Sequence, residues 1–428
     1  MTKVLSGVWP LLLGILLIML GNGMHFTLIG LRGGIEGFSA ASLAIVTSGY
    51  FVGFLSGARL TPIMIKRVGH VRVFAALGSF MSAGLITFPL LTDPWVWTLL
   101  RILIGFCMSG IYVTAESWLN YSATNNTRGK VLSAYMIAQT LGIIGAQGLL
   151  TLGDAGTSAL FIVASILVSV SFAPILLSVT PAPVVEMARP MRLRELLATS
   201  PLGTVGIFLL GSIYATQAGM GAVFGTQAEL TTGQIALFIA MLFAGALVLQ
   251  YPIGWLSDRM DRRKLIFLIA LMGTSSCTLG WLSEGNLQQL MIAAFLAGGM
   301  TTPLYALFLA YTNDALSVED MPAASGGLVF TFGLGAITGP LITGWGMQHF
   351  GAFAFWPVLG ATFIAIALFA VYRMTQRASI PLAETESYLG VLPTASPVAV
   401  EAAGVWAVEH AEAERDGTSD EAPEHEHK

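Results

Sequence analysis

Gly254-Trp-Leu-Ser-Asp258-Arg259-Met-Asp261-Arg262-Arg263-Lys264 is a knot of charge set between two long apolar runs, and its reading decides the fold. A counterpart lies about 192 residues earlier, Pro62-Ile-Met-Ile-Lys66-Arg67-Val-Gly69-His70-Val-Arg72, again between two apolar runs. Such self-similarity marks a chain built as two related halves. In a bilayer protein, cationic loops of this kind collect on the cytoplasmic side. The same residues therefore supply both the repeat and the topology.

The composition agrees. With 55% hydrophobic and 10% charged residues in a chain of 428, there is too little polar surface to cover soluble cores, and an integral membrane protein is the consistent class. A helix needs roughly 20 mostly apolar residues to cross the hydrocarbon. Apolar runs near 8–31, 40–65, 71–91, 95–119, 130–152 and 157–180 are followed by runs near 200–224, 232–255, 264–283, 286–312, 323–347 and 351–374. The predicted fold is all-α, with 12 transmembrane helices in two six-helix bundles. Residues 1–180 form the first bundle, 181–199 a cytoplasmic linker and 200–377 the second bundle. With the N-terminus inside, the inner connections collect Lys3, Lys66, Arg67, Arg72, Arg128, Lys130, Arg189, Arg192, Arg194, Arg259, Arg262, Arg263, Lys264, Arg373 and Arg377, whereas the outer ones hold Arg32 alone. Glu36, Asp93, Asp154, Glu229 and Glu284 all fall outside. Both termini are thus predicted on the cytoplasmic side.

The net charge of −4 conceals a division, because residues 378–428 hold 11 acids against Arg415 and Lys428 and leave 18 bases and 13 acids before them. That stretch is rich in Ala, Glu, Pro and His, a composition that buries too little apolar surface to offset ordering entropy. It is predicted to be a disordered acidic cytoplasmic tail, dispensable for folding after Gln376 or Arg377. Its Val405-Trp406-Ala-Val408 patch is the first suspect for any contact it makes. In the linker, Met191-Arg-Leu193-Arg-Glu195-Leu196-Leu197 has the pattern of a short amphipathic interfacial helix.

Few polar groups fall inside the runs. Arg101 lies about six residues inside the fourth run, past Trp95 and Trp97, where a guanidinium needs water or a partner. It reads either as a charge in an internal cavity or as a side chain snorkelling to the outer interface. Gly105, Met108, Tyr112 and Glu116 follow on its face. Glu116 reads as a functional intramembrane acid or as the partner of Arg67 or Arg128 near the cytoplasmic end. Asn22 and His25 share a face of the first run, and His25 suits either proton transfer or interhelical hydrogen bonding. Gln139, Gln147, Gln217, Gln250 and Tyr305 are the other polar groups along a substrate path. Cys107 and Cys277 sit in apolar runs and read as buried free thiols. No GxxxxGK[ST] nucleotide motif, metal-ligand cluster or nucleophile with a base occurs at membrane depth, and the terminal Glu-His-Glu-His is too short for a metal site. The expectations are no enzyme, no cofactor and no nucleic acid.

The knot at 254–264 resembles motif A of the major facilitator superfamily, in which Gly, a small residue, Asp-Arg and a basic cluster join two helices. The earlier copy keeps Arg67, Gly69 and Arg72 but carries Lys66 where the family has Asp. Arg101-Ile-Leu-Ile-Gly105 looks like motif B, and Gly335-Ala-Ile-Thr-Gly339-Pro340-Leu-Ile-Thr-Gly344 approximates motif C, displaced from the fifth run to the eleventh. Ser48-Gly-Tyr50-Phe51-Val-Gly53, Glu116-Ser117, Arg128-Gly129-Lys130, Tyr135-Met136 and Gln250-Tyr251-Pro252-Ile253-Gly254 look like the bacterial YcaD-like group of permeases. Gly105/Gly298, Tyr112/Tyr305 and Asn120/Asn313 repeat at a spacing of 193 and make the fourth and tenth runs equivalent.

The resemblance implies a secondary transporter of a bacterial inner membrane, moving a small molecule by alternating access and expected to be a monomer, while proton coupling is an expectation that rests on the residues Arg101, His25 and Glu116 themselves. Multidrug or metabolite efflux is the alternative within transport, and a membrane sensor the alternative from another class. It also implies a conformational latch in which Asp258, with Arg259 and Arg262, meets the start of the fifth helix near Gly129 and Lys130. Lys66 has the wrong sign for that role and stands beside Arg67, so the latch is expected on one side only.

Overall fold

The charged knot folds as a tight link between two helices. α10 (Thr232–Ser257) ends at Asp258, and α11 (Arg262–Trp281) starts after Asp261, whose carboxylate accepts the Arg263 backbone N–H at 2.9 Å and caps the helix. Burial works to raise the Asp261 carboxyl, but the hydrogen bonds and charge of Arg263 hold it below its ordinary value. In the counterpart, α2 (Ala40–Val68) and α3 (His70–Thr87) are separated by Gly69 alone, at φ 86°. A one-residue link in that left-handed region suits glycine and strains other residues.

The computed structural model describes residues 2–123, 125–176, 190–317, 319–376, 385 and 388–415. The first half also contains α1 (Thr2–Ile35), α4 (Pro94–Ser122), α5 (Asn125–Leu150) and α6 (Ala159–Leu176). Then come α7 (Leu193–Thr199), α8 (Pro201–Ala215), α9 (Gly221–Gln227), α12 (Leu287–Asn313), α13 (Met321–Phe350), α14 (Phe355–Gln376) and α15 (Pro397–Arg415). A π turn over Thr216–Met220 joins α8 to α9 within the seventh run. Among the described residues, eleven helical segments are long and apolar enough to span a bilayer, and α6, described as far as Leu176, supplies the sixth run.

Helix pairing repeats in the two halves. α2 packs on α4 as α10 packs on α12. Gly53 lies against the Ile102 carbonyl and Gly105 against that of Tyr50, while Gly245 lies against the Phe295 carbonyl and Gly298 against that of Leu242. None of the four has room for a Cβ, so backbone-to-backbone approach fixes the same crossing twice. The corresponding residues are 192 or 193 positions apart. The repeat is inexact at the links. Arg262 and Asp314 form a buried ion pair at 2.5 Å between α11 and the end of α12, where the first half has His70 and the exposed Tyr121.

Two ends of the molecule can be told apart by their loops, one carrying Lys66, Arg67, Arg128 and Arg259 (the basic end), the other Glu36, Asp93, Asp154, Glu229 and Glu284 (the acidic end). At the acidic end α1 meets α9 and α2 meets α13. Gly30 there faces Ala222 and Val223, Gly344 faces Ala40 and Ala44, and Ser48 donates across the halves to the Ile337 carbonyl at 2.8 Å. Arg32 pairs with Glu36 at 2.6 Å and also donates to the Gly156 carbonyl.

At the basic end the structure corrects an expectation. Residues 388–396 run as an extended segment into α15, and the pair packs against α4, α5 and α13 instead of standing free as a disordered tail. Residues 391–407 are dominated by Val and Ala, with Val391, Ala395, Val398, Ala399, Ala402, Ala403 and Ala407 all buried. Too weakly apolar to fold alone, it borrows a wall from the bundles. Trp406, in the suspected patch, lies against Gly129. In the linker, α7 packs on α13: Leu196 is buried against Gly327, and the Met191 N–H donates to the Ala323 carbonyl at 2.7 Å. Residues 181–189 of the linker, with Arg189, and residues 377–384, 386–387 and 416–428, with Arg377 and the Glu-His-Glu-His stretch, lie outside the described residues.

Candidate functional site

Between the halves, midway along the helices, lies a small cavity of about 30 Å³. Its wall combines Asn22, Phe26 and Thr27 of α1, Tyr50 of α2, Tyr112 of α4, Ile143 and Gln147 of α5, Tyr214 of α8, Ala218 of the π turn, and Ile239 and Phe243 of α10. Thr394, from the C-terminal segment, closes it toward the basic end. The volume holds about one or two waters, well below the ~300–1,000 Å³ of a site that encloses a small molecule. The lining is nevertheless of the kind that orients one: aromatic and apolar faces with a few polar tips. The Thr27 hydroxyl donates to Gln147 Oε1 at 3.0 Å, and the Tyr112 hydroxyl to Met19 Sδ at 3.4 Å.

Arg101 stands one layer behind this wall. It is 1% exposed, and its guanidinium carbon lies 4.0 Å from the Phe26 ring centroid and 4.6 Å from that of Tyr50. Aromatic faces attract a cation, more strongly where water is excluded. Its Nη1 is 3.3 Å from Nδ1 of His25. Because a guanidinium only donates, Nδ1 must supply the lone pair, which requires an imidazole unprotonated at that nitrogen. His25 is itself buried, its ring 4.6 Å from Phe88 and 6.1 Å from Phe161. No carboxylate among the described residues lies within ion-pair distance of Arg101. Of its two readings, snorkelling to the interface is excluded by burial. Arg101 is an internal charge that touches the cavity through Phe26 and Tyr50.

Toward the basic end, Glu116 is 1% exposed. Its Oε1 accepts the Tyr135 hydroxyl at 2.9 Å and its Oε2 accepts the Ser396 backbone N–H at 2.8 Å. The expected pairing with Arg67 or Arg128 is replaced: Arg128 meets Glu409 of α15 at 3.8 Å, and Arg67 is exposed. Asp258 likewise accepts the Tyr388 N–H at 2.8 Å, so its partner here is the C-terminal segment, and the predicted meeting point at Gly129 is covered by Trp406. The Tyr388 hydroxyl takes a hydrogen bond from Gln250 Nε2 at 2.9 Å, and burial together with the nearby Asp258 charge pushes its pKa up. Lys66 is exposed, and Arg259 stacks on Trp255 at 4.2 Å.

A groove of about 430 Å³ lies between α5 and α10, lined by Met136, Thr140, Ala246, Gln250, Asp258 and Thr302 and by Tyr388, Gly390 and Leu392. A narrow gap bounded by Tyr214, Gln217, Phe243, Ala246 and Thr302 shares residues with both the groove and the central cavity. The gap therefore lies between the groove and the central cavity. Gln217 borders the gap, Asn22 lines the central cavity, and Gln139 and Tyr305 are buried without lining these spaces, Tyr305 edge-on to Phe332 at 5.5 Å. Sequence reasoning did not assign Phe26, Tyr214 and Thr394 to the site, because an aromatic or a hydroxyl on an apolar helix carries no signal of which face it shows.

A sequence profile described as Major Facilitator Superfamily matches residues 202–398, and one described as Sugar (and other) transporter matches residues 12–182. Each half of the chain thus matches a transporter profile. It is 26% identical over 346 residues to the uncharacterized MFS-type transporter YcaD of Escherichia fergusonii, covering 79% of this chain and 88% of the relative. The YcaD of Escherichia coli is 25% identical over 342 residues, with the same coverage. Among solved structures, the nucleoside transporter NupG superposes with a TM-score of 0.70 at 14% identity, over 86% of this chain and 99% of that one. A bacterial homologue of the human lysosomal transporter Spinster, inward-facing and unoccupied, superposes with a TM-score of 0.67 at 13% identity, over 95% and 98% of the two chains. The protein is a multi-pass membrane transporter with the fold of this superfamily and a small molecule as its class of substrate.

Proposed function

We propose that this protein is a proton-coupled secondary transporter that carries a small molecule across a bacterial inner membrane by alternating access, with both termini and the basic end in the cytoplasm. The observation that carries the reading is the central cavity, walled by both halves and lying between two differently built closures. A site at a repeat interface changes the side it faces when one bundle rocks against the other. Substrate contact is assigned to Asn22, Tyr50, Tyr112, Gln147, Tyr214 and Gln217. Proton exchange is assigned to His25 and Glu116, both buried in the first half. Protonation of His25 at Nδ1 removes the lone pair that faces Arg101 and sets cation against cation. That change frees the guanidinium behind Phe26 and Tyr50 and couples charge to the cavity wall.

The test uses purified protein in liposomes, with a substrate found by a thermal-shift screen and a pH-sensitive dye trapped inside. Substrate flux that moves protons, collapses with a protonophore and loses its pH dependence in His25→Gln supports the reading. Flux indifferent to the protonophore overturns the coupling. Efflux of an amphiphile is the second reading, favoured by the groove beside the exposed Ile137, Tyr251 and Trp255, which face the surroundings of α5 and α10. Lower accumulation of a fluorescent lipophilic cation in cells that carry the protein, compared with cells lacking it, separates efflux from uptake.

A further inference from the structure

The space between the halves at the basic end is occupied by the chain's own C-terminal segment, and four tethers hold it there. Tyr388 N–H meets Asp258, the Tyr388 hydroxyl meets Gln250, Ser396 N–H meets Glu116, and Glu409 meets Arg128. Gln250 and Asp258 belong to the second half, Glu116 and Arg128 to the first. The segment therefore spans the interface along which the halves must move. Its tip, Thr394, reaches the central cavity, and Gly390 and Leu392 wall the groove. Behind it, Leu389, Val391, Val400, Ala403 and Ala407 face Ala306, Leu309 and Ala310 of α12.

We propose that residues 388–409 are a resident plug of the cytoplasmic vestibule, a built-in peptide ligand that staples the two halves together and must leave before the transporter can turn over. In place, it blocks both necessary movements. Substrate passage between the central cavity and the basic end is obstructed because Thr394 closes the cavity on that side and Gly390 and Leu392 narrow the groove, and the halves cannot close on one another there because α15 stands between α4, α5 and α13. The buried face of the plug is suited to departure. Its Val and Ala side chains remove less apolar area from water than Leu or Phe would, and its polar contacts, two through backbone N–H groups and two through side chains, join groups that water can satisfy once the vestibule opens. The plug is thus a removable part on a rigid bundle. Its regulatory meaning rests on the alternating-access reading, whereas its presence is measured by accessibility alone.

The experiment uses the full chain with Cys107 and Cys277 replaced by Ala and with Ile143→Cys in the central cavity. In inside-out vesicles, a membrane-impermeant maleimide reports how fast that thiol is reached from the basic end. Gly404→Trp places a ring where even a Cβ would crowd Asn313, and Gly390→Trp does the same against Gln250; both changes lie outside the spanning helices. Each is expected to raise the labelling rate by about tenfold or more, the signature of a plug displaced from most molecules. A second chain carries Asn313→Cys with Gly404→Cys. Mild oxidation is expected to link these two, to hold Ile143→Cys unreactive, and to be reversed by reductant. Labelling of the tryptophan variants at the rate of the parent, or failure of the paired cysteines to link, overturns the plug. A plug confirmed by accessibility in a protein that carries no solute would overturn the transport reading and leave the plug standing.

Discussion

At the acidic end the two halves meet helix to helix, glycine on backbone, whereas at the basic end they meet through a segment that belongs to neither bundle. Gly30 on Ala222 and Gly344 on Ala40 leave no space for another atom, and Ser48 adds a hydrogen bond to the Ile337 carbonyl across the same seam. Such contacts are individually small and lost steeply with distance, so they come apart only when a whole bundle turns. The plug is held by four polar contacts and a face of small residues, and it can leave while every spanning helix stays put. One end is closed by the fold and the other by an occupant. The same division explains why the central cavity is so small: its roof is fixed by the acidic-end packing, while its floor is Thr394.

The largest effect is expected where the packing is tightest. Gly30→Leu should force α1 from α9, cost about 1–3 kcal/mol through overpacking, and raise labelling of Ser48→Cys from the acidic side by about tenfold or more. A rate unchanged from the parent would mean that this seam yields as readily as the plug. Next comes the buried tether. Glu116→Ala leaves the Ser396 N–H and the Tyr135 hydroxyl without their acceptor, and loss of a charged hydrogen bond, about 1.5–3 kcal/mol, should speed labelling of Ile143→Cys from the basic end by roughly tenfold or more, with little change at Ser48→Cys. Equal acceleration at both ends would show that Glu116 supports the bundle and not the plug.

Arg128→Ala tests the outermost tether. The pair with Glu409 is at 3.8 Å and partly exposed, a class of contact worth about 0.2–1 kcal/mol, so a change of about two- to fivefold in the same labelling assay is expected, shrinking in high salt. The smallest effect belongs to Asp261→Asn, which touches neither closure. It removes a carboxylate whose value Arg263 depresses, so its contribution is present above the unfolded value of about 3.9 and disappears as pH falls through the lower folded value. Thermal unfolding in detergent should show a loss below about 1 kcal/mol at neutral pH, given partial exposure, that vanishes toward pH 3. A loss that persists at low pH would assign the residue a role other than charge.

The repeat of charged links, the twelve apolar runs and the basic-versus-acidic division of the loops were readable without coordinates, because each is a one-dimensional consequence of crossing a bilayer. Gly105 and Gly298 could be matched by spacing, whereas Gly53 and Gly245 were paired only by the helix crossings they make. The site was only half legible. Arg101, His25 and Glu116 stood out as costly groups inside apolar runs, yet who meets whom was decided by the fold: His25 and the rings of Phe26 and Tyr50 for Arg101, Tyr135 and Ser396 for Glu116. The plug was the least legible part. A stretch dominated by Val and Ala and flanked by acids lacks the apolar area to order itself, and its composition is the same whether it floats or docks. What orders it is the vestibule built by α4, α5, α10 and α13, a surface that exists only after two halves of one sequence have folded side by side.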